Sequence, residues 1–143
     1  MLSNLLIAWC LMALCVTIHA TGLTVAFRWL NRHGMRVEGQ IWPATWLLIR
    51  IAGWTLLLHL VQILVWAAFY AWQGGMPDFT TAAYFSAVTY TTTGYGDIVL
   101  TKEWRIVGAG EALTGILMCG LSAGMFFAVF SKVFKVDSEN STS

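Results

Sequence analysis

Charged residues are scarce in this chain. Of its 143 residues, eight are Lys or Arg and seven are Asp or Glu, so only 10% carry a charge, whereas 58% are hydrophobic. Soluble domains carry about a quarter charged residues, and a soluble chain of this composition would expose apolar surface over most of its outside. The composition therefore argues against a soluble enzyme, a disordered protein and a nucleic-acid-binding protein. The net charge of +1 gives no overall field for a polyanionic or polycationic partner.

Long stretches without charge predict membrane spans. A helix needs about 20 mainly apolar residues to cross the hydrocarbon core of a bilayer. Residues 1–27 and 51–77 contain no Asp, Glu, Lys or Arg, and residues 106–131 contain one, Glu111. Because nothing basic precedes the first stretch, a cleaved signal peptide is the less favoured interpretation of it. The sequence therefore predicts an all-α membrane protein with a single membrane domain, with spanning helices at 2–30, 44–72 and 104–134 and a disordered tail at 135–143.

The basic residues predict how these helices are oriented. Four arginines flank the connection between the first and second helices, and Lys132 and Lys135 follow the third, whereas only two basic residues lie between the second and third. The positive-inside rule places the first connection and the C-terminus in the cytoplasm, and the N-terminus outside a plasma or bacterial inner membrane. The two lysines could also attract anionic lipid, but ordinary flanking charge is the preferred interpretation.

The polar residues of the spans form no catalytic or metal-binding constellation. Neither a Ser-His-Asp set nor a phosphate-binding loop is present, and an enzyme is not expected. Cys10, Cys15 and Cys119 lie in predicted spans, where a thiol behaves as a small apolar group, so we expect no disulfide and no metal site there. His19 and His59 also lie in spans, where a hydrogen-bonded packing role is preferred over pH sensing.

The connection between the second and third spans is not an ordinary hydrophilic loop. Gly74, Gly75 and Pro77 break the second helix, and Asp78 stands at the N-cap position of an apolar and aromatic stretch at 79–90. This stretch is long enough for about three helical turns, which is too short to span a membrane. A short apolar helix flanked by breakers predicts a re-entrant segment.

The stretch that follows, residues 91–97, reads Thr-Thr-Thr-Gly-Tyr-Gly-Asp. Gly94 and Gly96 can adopt backbone angles closed to other residues. Alternating such residues with ordinary ones lets successive carbonyl oxygens point to one side, and Thr92 can add its hydroxyl at the lower end. Non-helical backbone at membrane depth is tolerated only where it lines protein or water. One strand supplies one carbonyl per level, too few to replace the hydration shell of an ion, so several copies around an axis are needed.

This motif and its surroundings resemble the pore family of potassium channels, in which carbonyl oxygens replace the hydration shell of K⁺. The order of outer helix, pore helix, filter and inner helix over residues 44–134 matches that family. The resemblance implies a homotetramer set among membrane lipids, with no cofactor except K⁺, no nucleic-acid partner, and a first helix packed around the rim. It also implies an outer mouth at Gly96 and Asp97, and K⁺ sites formed by the carbonyls of Thr92, Thr93, Gly94 and Tyr95 with the Thr92 hydroxyl lowest.

The sequence also departs from the family pattern. Thr93 stands where Val or Ile is more usual, and Val88 stands where some members carry a carboxylate that braces the residue equivalent to Asp97. Tyr84 and Phe85 occupy the positions of two tryptophans found behind the filter in some members. These departures leave open a weakly selective cation channel of the same architecture. A non-conducting accessory subunit is a further alternative and is ranked last, because it would have little use for an intact filter.

The third span contains the remaining candidates. Glu111 is an ionisable residue inside a span and therefore a functional candidate. It either braces the filter through hydroxyls of the short helix, which is preferred, or faces the central cavity. Gly115 lies near the hinge glycine of the family, and a gating bend and close packing are equally favoured for it. Ala123, Phe126 and Phe127 are candidates for an inner gate.

Overall fold

The computed structural model describes residues 2–32 and 41–140, with side chains as far as residue 131. Within this part of the chain all regular structure is helical, and there are four helices: α1 (Leu2–Arg32), α2 (Ile41–Trp72), α3 (Phe79–Tyr90) and α4 (Arg105–Asn140). Three of them, α1, α2 and the Arg105–Ser131 part of α4, are long and apolar enough to cross a membrane. The prediction of an all-helical membrane protein is confirmed.

Two helix ends extend beyond the predicted bounds, that of α2 at its start and that of α4 at its end. α2 begins at Ile41, three residues before the predicted start, and so includes Pro43. A proline is compatible with the first turn, because the N–H groups there have no partner within the helix. α4 continues to Asn140, so residues 135–140, predicted as a disordered tail, are helical instead. Once a helix is nucleated, each further residue adds a hydrogen bond at little cost. The last three residues lie outside the described part.

A left-handed glycine ends α2. Gly74 has φ +68°, and the N–H groups of Gln73 and Gly75 donate to the carbonyls of Phe69 and Tyr70 over 3.0 and 3.2 Å. These bonds satisfy carbonyls at the end of the helix that would otherwise lack a donor. The chain then turns and enters α3 at Phe79.

α1 packs closely against both α2 and α4. At Gly22 an added Cβ would meet the side chain of Leu58 on α2, and at Gly110 it would lie 2.9 Å from the Cβ of Ala8 on α1. The Asn4 side chain donates to the carbonyl of Glu103, which places the start of α1 at the same end of the bundle as the connection from α2 to α4. Glycine at both crossings therefore allows helix backbones to approach each other.

α3 is held between α2 and α4 by a buried aromatic and aliphatic core. The rings of Tyr70 and Phe85 meet edge to face with centroids 5.3 Å apart, and Phe69 meets Trp104 in the same way at 5.7 Å. Ala82 on α3 is fully buried. This core fixes the position of α3 and therefore of the residues that follow it.

Candidate functional site

An aspartate caps the start of α3. Asp78 accepts a hydrogen bond at Oδ1 from the Thr81 N–H at 2.8 Å and at Oδ2 from the Thr81 hydroxyl at 2.9 Å. The backbone bond from Thr81, followed by the hydroxyl bond, lowers the pKa of the Asp78 carboxyl. The cap satisfies a first-turn N–H and sets the direction in which α3 leaves the connection.

The backbone of the 91–97 segment alternates in handedness. Thr92, Gly94 and Gly96 have φ of +59°, +55° and +77°, and none of the intervening residues has a positive φ. The sequence predicted this freedom at the two glycines but not at Thr92, which is the one non-glycine residue with positive φ in the described part of the chain. A threonine there costs about 1–3 kcal/mol, which the surrounding structure must offset.

The N–H groups at the base of this segment are bonded back to α3. Thr92 N donates to the Thr89 carbonyl at 2.9 Å, and Thr93 N and Gly94 N donate to the Val88 carbonyl at 3.0 and 3.2 Å. Among the described residues no hydrogen bond ends on the carbonyls of residues 92–96. All seven residues of the segment are exposed in the single chain. The segment therefore leaves its carbonyls open to an external ligand, while the N–H groups of Thr92, Thr93 and Gly94 are taken up by α3.

A tyrosine on α3 is hydrogen-bonded to the last residue of the segment. The Tyr84 hydroxyl donates to Oδ2 of Asp97 at 2.8 Å, and this bond raises the pKa of Tyr84. The family pattern points only to position 88, occupied here by Val88, for a side chain that braces Asp97. The bond from Tyr84 was therefore not predicted. The one indication in the sequence is that Tyr84 carries a hydroxyl at a position where some family members have a tryptophan behind the filter.

Glu111 is completely buried behind α3. Its Oε2 accepts from the Tyr70 hydroxyl of α2 at 2.7 Å, and its Oε1 contacts the Ser86 hydroxyl of α3. The Ser86 oxygen also lies 2.8 Å from the carbonyl oxygen of Ile63. The carboxyl thus links α2, α3 and α4, which is the placement that a brace requires. Its effect on a filter remains a prediction.

Gly115 lies against the end of α3. A Cβ added at Gly115 would overlap the carbonyl oxygen of Tyr90, the last residue of α3. The contact gives this glycine a packing role, while the predicted gating bend remains a prediction. It also brings α4 to the point where α3 passes into the 91–97 segment.

The three gate candidates lie far from this point. Ala123, Phe126 and Phe127 are exposed on α4, and Phe127 has 71% of its surface exposed. From Gly115 to Phe127 the helix advances by about 18 Å. The structure therefore places these residues toward the opposite end of the bundle and does not bring them to the 91–97 segment.

A family model for ion channels matches residues 55–132, more than half of the chain. The chain belongs to the ion channel family. The resemblance found in the sequence is thereby confirmed at the level of an ion channel pore. No curated protein and no solved structure matches the chain significantly.

The family match covers only part of this ion channel and leaves out α1. The matched region runs from α2 through α3 and the 91–97 segment into α4, while α1 lies before it. The buried residues that contact one another nevertheless include Ala8 and Cys15 of α1 together with residues of the other three helices. In this channel α1 is therefore packed into the same core as the matched helices.

A second polar cluster lies at the C-terminal end of α3 and joins all four helices. It consists of side chains from α1 (His19), α2 (His59 and Gln62), α3 (Tyr90) and α4 (Ser122). The sequence indicates each histidine only as a polar residue inside a span, and it gives no reason to select Gln62 or Ser122. These residues are distant along the chain, and only the helix packing brings them together.

Proposed function

We propose that this ion channel conducts K⁺ passively and selectively through a pore formed by four copies of the 91–97 segment. The observation that carries the proposal is the alternation of positive φ at Thr92, Gly94 and Gly96, together with the unoccupied carbonyl acceptors between them. Successive carbonyls of such a backbone line one side, and rings of carbonyls can replace the hydration shell of K⁺.

The residues of the segment take separate roles in this pore. Carbonyls of residues 92–95 form the successive K⁺ sites, and the Thr92 hydroxyl adds oxygen ligands at the inner end. Gly96 and Asp97 form the outer mouth, where four carboxylates concentrate cations. The bond from Tyr84 to Asp97 supports this mouth.

A homotetramer is proposed because one chain cannot complete the coordination. A single segment gives one carbonyl at each level, whereas four segments around an axis give four. Tyr95 has 71% of its surface exposed in the single chain, which leaves a large aromatic side chain available to a neighbouring subunit. The exposed apolar side chains of α1, α2 and α4 face membrane lipid or other subunits.

α3 acts as a re-entrant pore helix in this arrangement. A helix C-terminus carries about half a negative charge. Four such ends, directed at a water-filled cavity in the middle of the membrane, offset part of the cost of holding a cation there. The basic residues put the C-terminus in the cytoplasm and the N-terminus outside a cell membrane.

Efflux of K⁺ from liposomes tests this function. Vesicles loaded with K⁺ and diluted into Na⁺ medium should lose K⁺ only when they contain the channel. Gly94→Ala should reduce efflux to the protein-free level, because alanine in the left-handed region costs about 1–2 kcal/mol in each subunit. Gly53→Ala is the matched control, since a Cβ there meets nothing within 4 Å. Equal efflux from matched vesicles loaded with Na⁺ would instead indicate a weakly selective cation channel.

A further inference from the structure

Five side chains close a ring of hydrogen bonds beneath the 91–97 segment. Tyr90 Oη lies 2.8 Å from Gln62 Oε1, and Gln62 Nε2 lies 2.8 Å from His19 Nδ1. His19 Nε2 and His59 Nε2 each lie 3.0 Å from Ser122 Oγ, and His59 Nδ1 lies 3.0 Å from Tyr90 Oη. We call this set the polar ring.

The donors and acceptors of the polar ring balance when both histidines are neutral. Tyr90 donates to Gln62, whose amide donates to His19 Nδ1. His19 Nε2–H then donates to Ser122, whose hydroxyl donates to His59 Nε2, and His59 Nδ1–H donates back to Tyr90. Five protons serve five contacts, so every member donates once and accepts once within the ring.

Turning the Gln62 amide reverses all five bonds and leaves the balance intact. In either direction one histidine carries its proton on Nδ1 and the other on Nε2. A closed polar ring therefore requires opposite tautomers at His19 and His59. A further proton on either histidine supplies six donors to five contacts, so one of the two hydroxyls, that of Ser122 or Tyr90, has to accept from both of its neighbours and turn its own proton out of the ring.

The polar ring bears on conduction through Tyr90. This residue is the last of α3, its side chain is 2% exposed, and its carbonyl contacts Gly115 of α4. Thr92, whose carbonyl and hydroxyl are proposed K⁺ ligands, follows two residues later. The ring fixes the Tyr90 side chain to α1, α2 and α4 and thereby positions the base of the 91–97 segment.

The other titratable groups near the polar ring are few. Cys15 of α1 and Cys119 and Glu111 of α4 lie near Tyr90. Beyond Tyr90 itself, α3 adds no group that titrates toward the ring, and α2 adds only His59. The two imidazoles are 5.1 Å apart between ring centroids, so a charge on one disfavours a charge on the other.

We propose that the polar ring is a proton-sensitive positioning network, in which α1 takes part in holding the base of the filter and a proton added to either histidine weakens that hold. The proposal rests on the proposed K⁺ conduction. It assigns His19, His59, Gln62 and Ser122 as positioning residues that act through Tyr90. Acid should therefore reduce the K⁺ current.

The first test reads the tautomers and does not depend on conduction. In His33→Gln protein with nitrogen-labelled histidine, reconstituted in nanodiscs, only the two ring histidines give imidazole signals, because the chain has three histidines. At about pH 7.5, a pH above the ordinary histidine pKa, nitrogen NMR should show one Nδ1–H and one Nε2–H imidazole. Two identical tautomers, or a charged imidazole, would overturn the proposal.

The second test compares K⁺ currents at about pH 7.5 and about pH 5, on either side of the ordinary histidine pKa. The unmodified channel and His33→Gln should both lose about ten-fold of their current in acid, the size expected when a buried donor loses its acceptor. Tyr90→Phe opens the ring at any pH and should give a low current without a pH response.

Gln62→Glu separates positioning from simple packing. A carboxylate accepts at both oxygens, so the ring closes with the additional proton on His19, and acid inhibition should disappear. An unchanged pH profile in Gln62→Glu and Tyr90→Phe would overturn the proposal. If the unmodified channel passes no K⁺ at either pH, the proposed conduction fails, and the tautomer measurement alone decides the ring.

Discussion

Thr92 adopts a backbone conformation that threonine rarely takes. Glycine would occupy the left-handed region without strain, but it lacks the hydroxyl that the lowest K⁺ site requires in the proposed pore. The N–H of Thr92 is bonded to the Thr89 carbonyl of α3, which offsets part of the strain. At this residue the side-chain chemistry of the site is retained at the expense of local stability.

Glu111 allows a residue-scale test of the brace. In Glu111→Gln the amide donates to the Ser86 hydroxyl, Ser86 donates to the Ile63 carbonyl, and the amide oxygen accepts from Tyr70, so conduction should persist. Glu111→Ala removes the acceptor of the buried Tyr70 hydroxyl, whereas Ser86 keeps the Ile63 carbonyl, and one orphaned group costs about 1–3 kcal/mol. The alanine variant should show a lower melting temperature and a faster decay of current. Equal behaviour of the two variants would contradict a brace.

At the scale of elements, the three long helices could be predicted because charge is absent over the length that a membrane requires. α3 could be predicted because breakers precede an apolar stretch of about three turns. The bond from Tyr84 to Asp97 could not be predicted, since it depends on how α3 is turned relative to the 91–97 segment. The polar ring was likewise not predicted, because nothing in the sequence around His19 or His59 indicates that the two side chains lie close together.

The cap of α3 gives an element-scale prediction. Asp78→Ala should lower the melting temperature of the channel, whereas Asp78→Asn should keep most of the cap, because asparagine is also a good N-cap. The hydrogen bonds from Thr81 lower the pKa of Asp78, so its contribution is present at neutral pH. This contribution disappears as the pH falls through the lowered pKa. The difference between Asp78→Ala and the unmodified channel should therefore shrink in strong acid, as thermal unfolding at several pH values would show.

The contact between α3 and α4 gives a second prediction at this scale. Gly115→Ala forces a methyl group onto the Tyr90 carbonyl, and relieving such overlap costs about 1–3 kcal/mol. Gly120→Ala is the matched control on the same helix, since a Cβ there meets nothing within 4 Å in the chain. Thermal unfolding should be destabilised by the first change only. An equal effect of both would mean that the close approach at Gly115 does not matter for stability.

At the scale of the whole molecule, α1 extends the matched channel module without standing apart from it. The family match starts at residue 55, yet Gly22 and Gly110 bring α1 against α2 and α4. His19 of α1 is completely buried and bonded to residues of both helices. The sequence predicted a helix around the rim, and the packing gives it direct bonds to the side chains beneath the 91–97 segment.

In the proposed pore a single chain is incomplete as a conductor. Its 91–97 segment is exposed and offers one set of carbonyls, and large apolar side chains cover the outside of its long helices. In the proposed pore, other copies of the chain complete the ion sites, and other copies and lipid cover this apolar surface. Under this proposal selectivity is a property of the assembly, so the central claim has to be tested there.

The reversal potential of the purified channel in a planar bilayer, with K⁺ on one side and Na⁺ on the other, tests this claim most directly. We predict a reversal near the K⁺ equilibrium potential in the unmodified channel and in Gly53→Ala, and no selective current in Gly94→Ala. A reversal near zero in the unmodified channel would contradict the account, because an intact carbonyl filter built on the 91–97 segment would then fail to distinguish K⁺ from Na⁺.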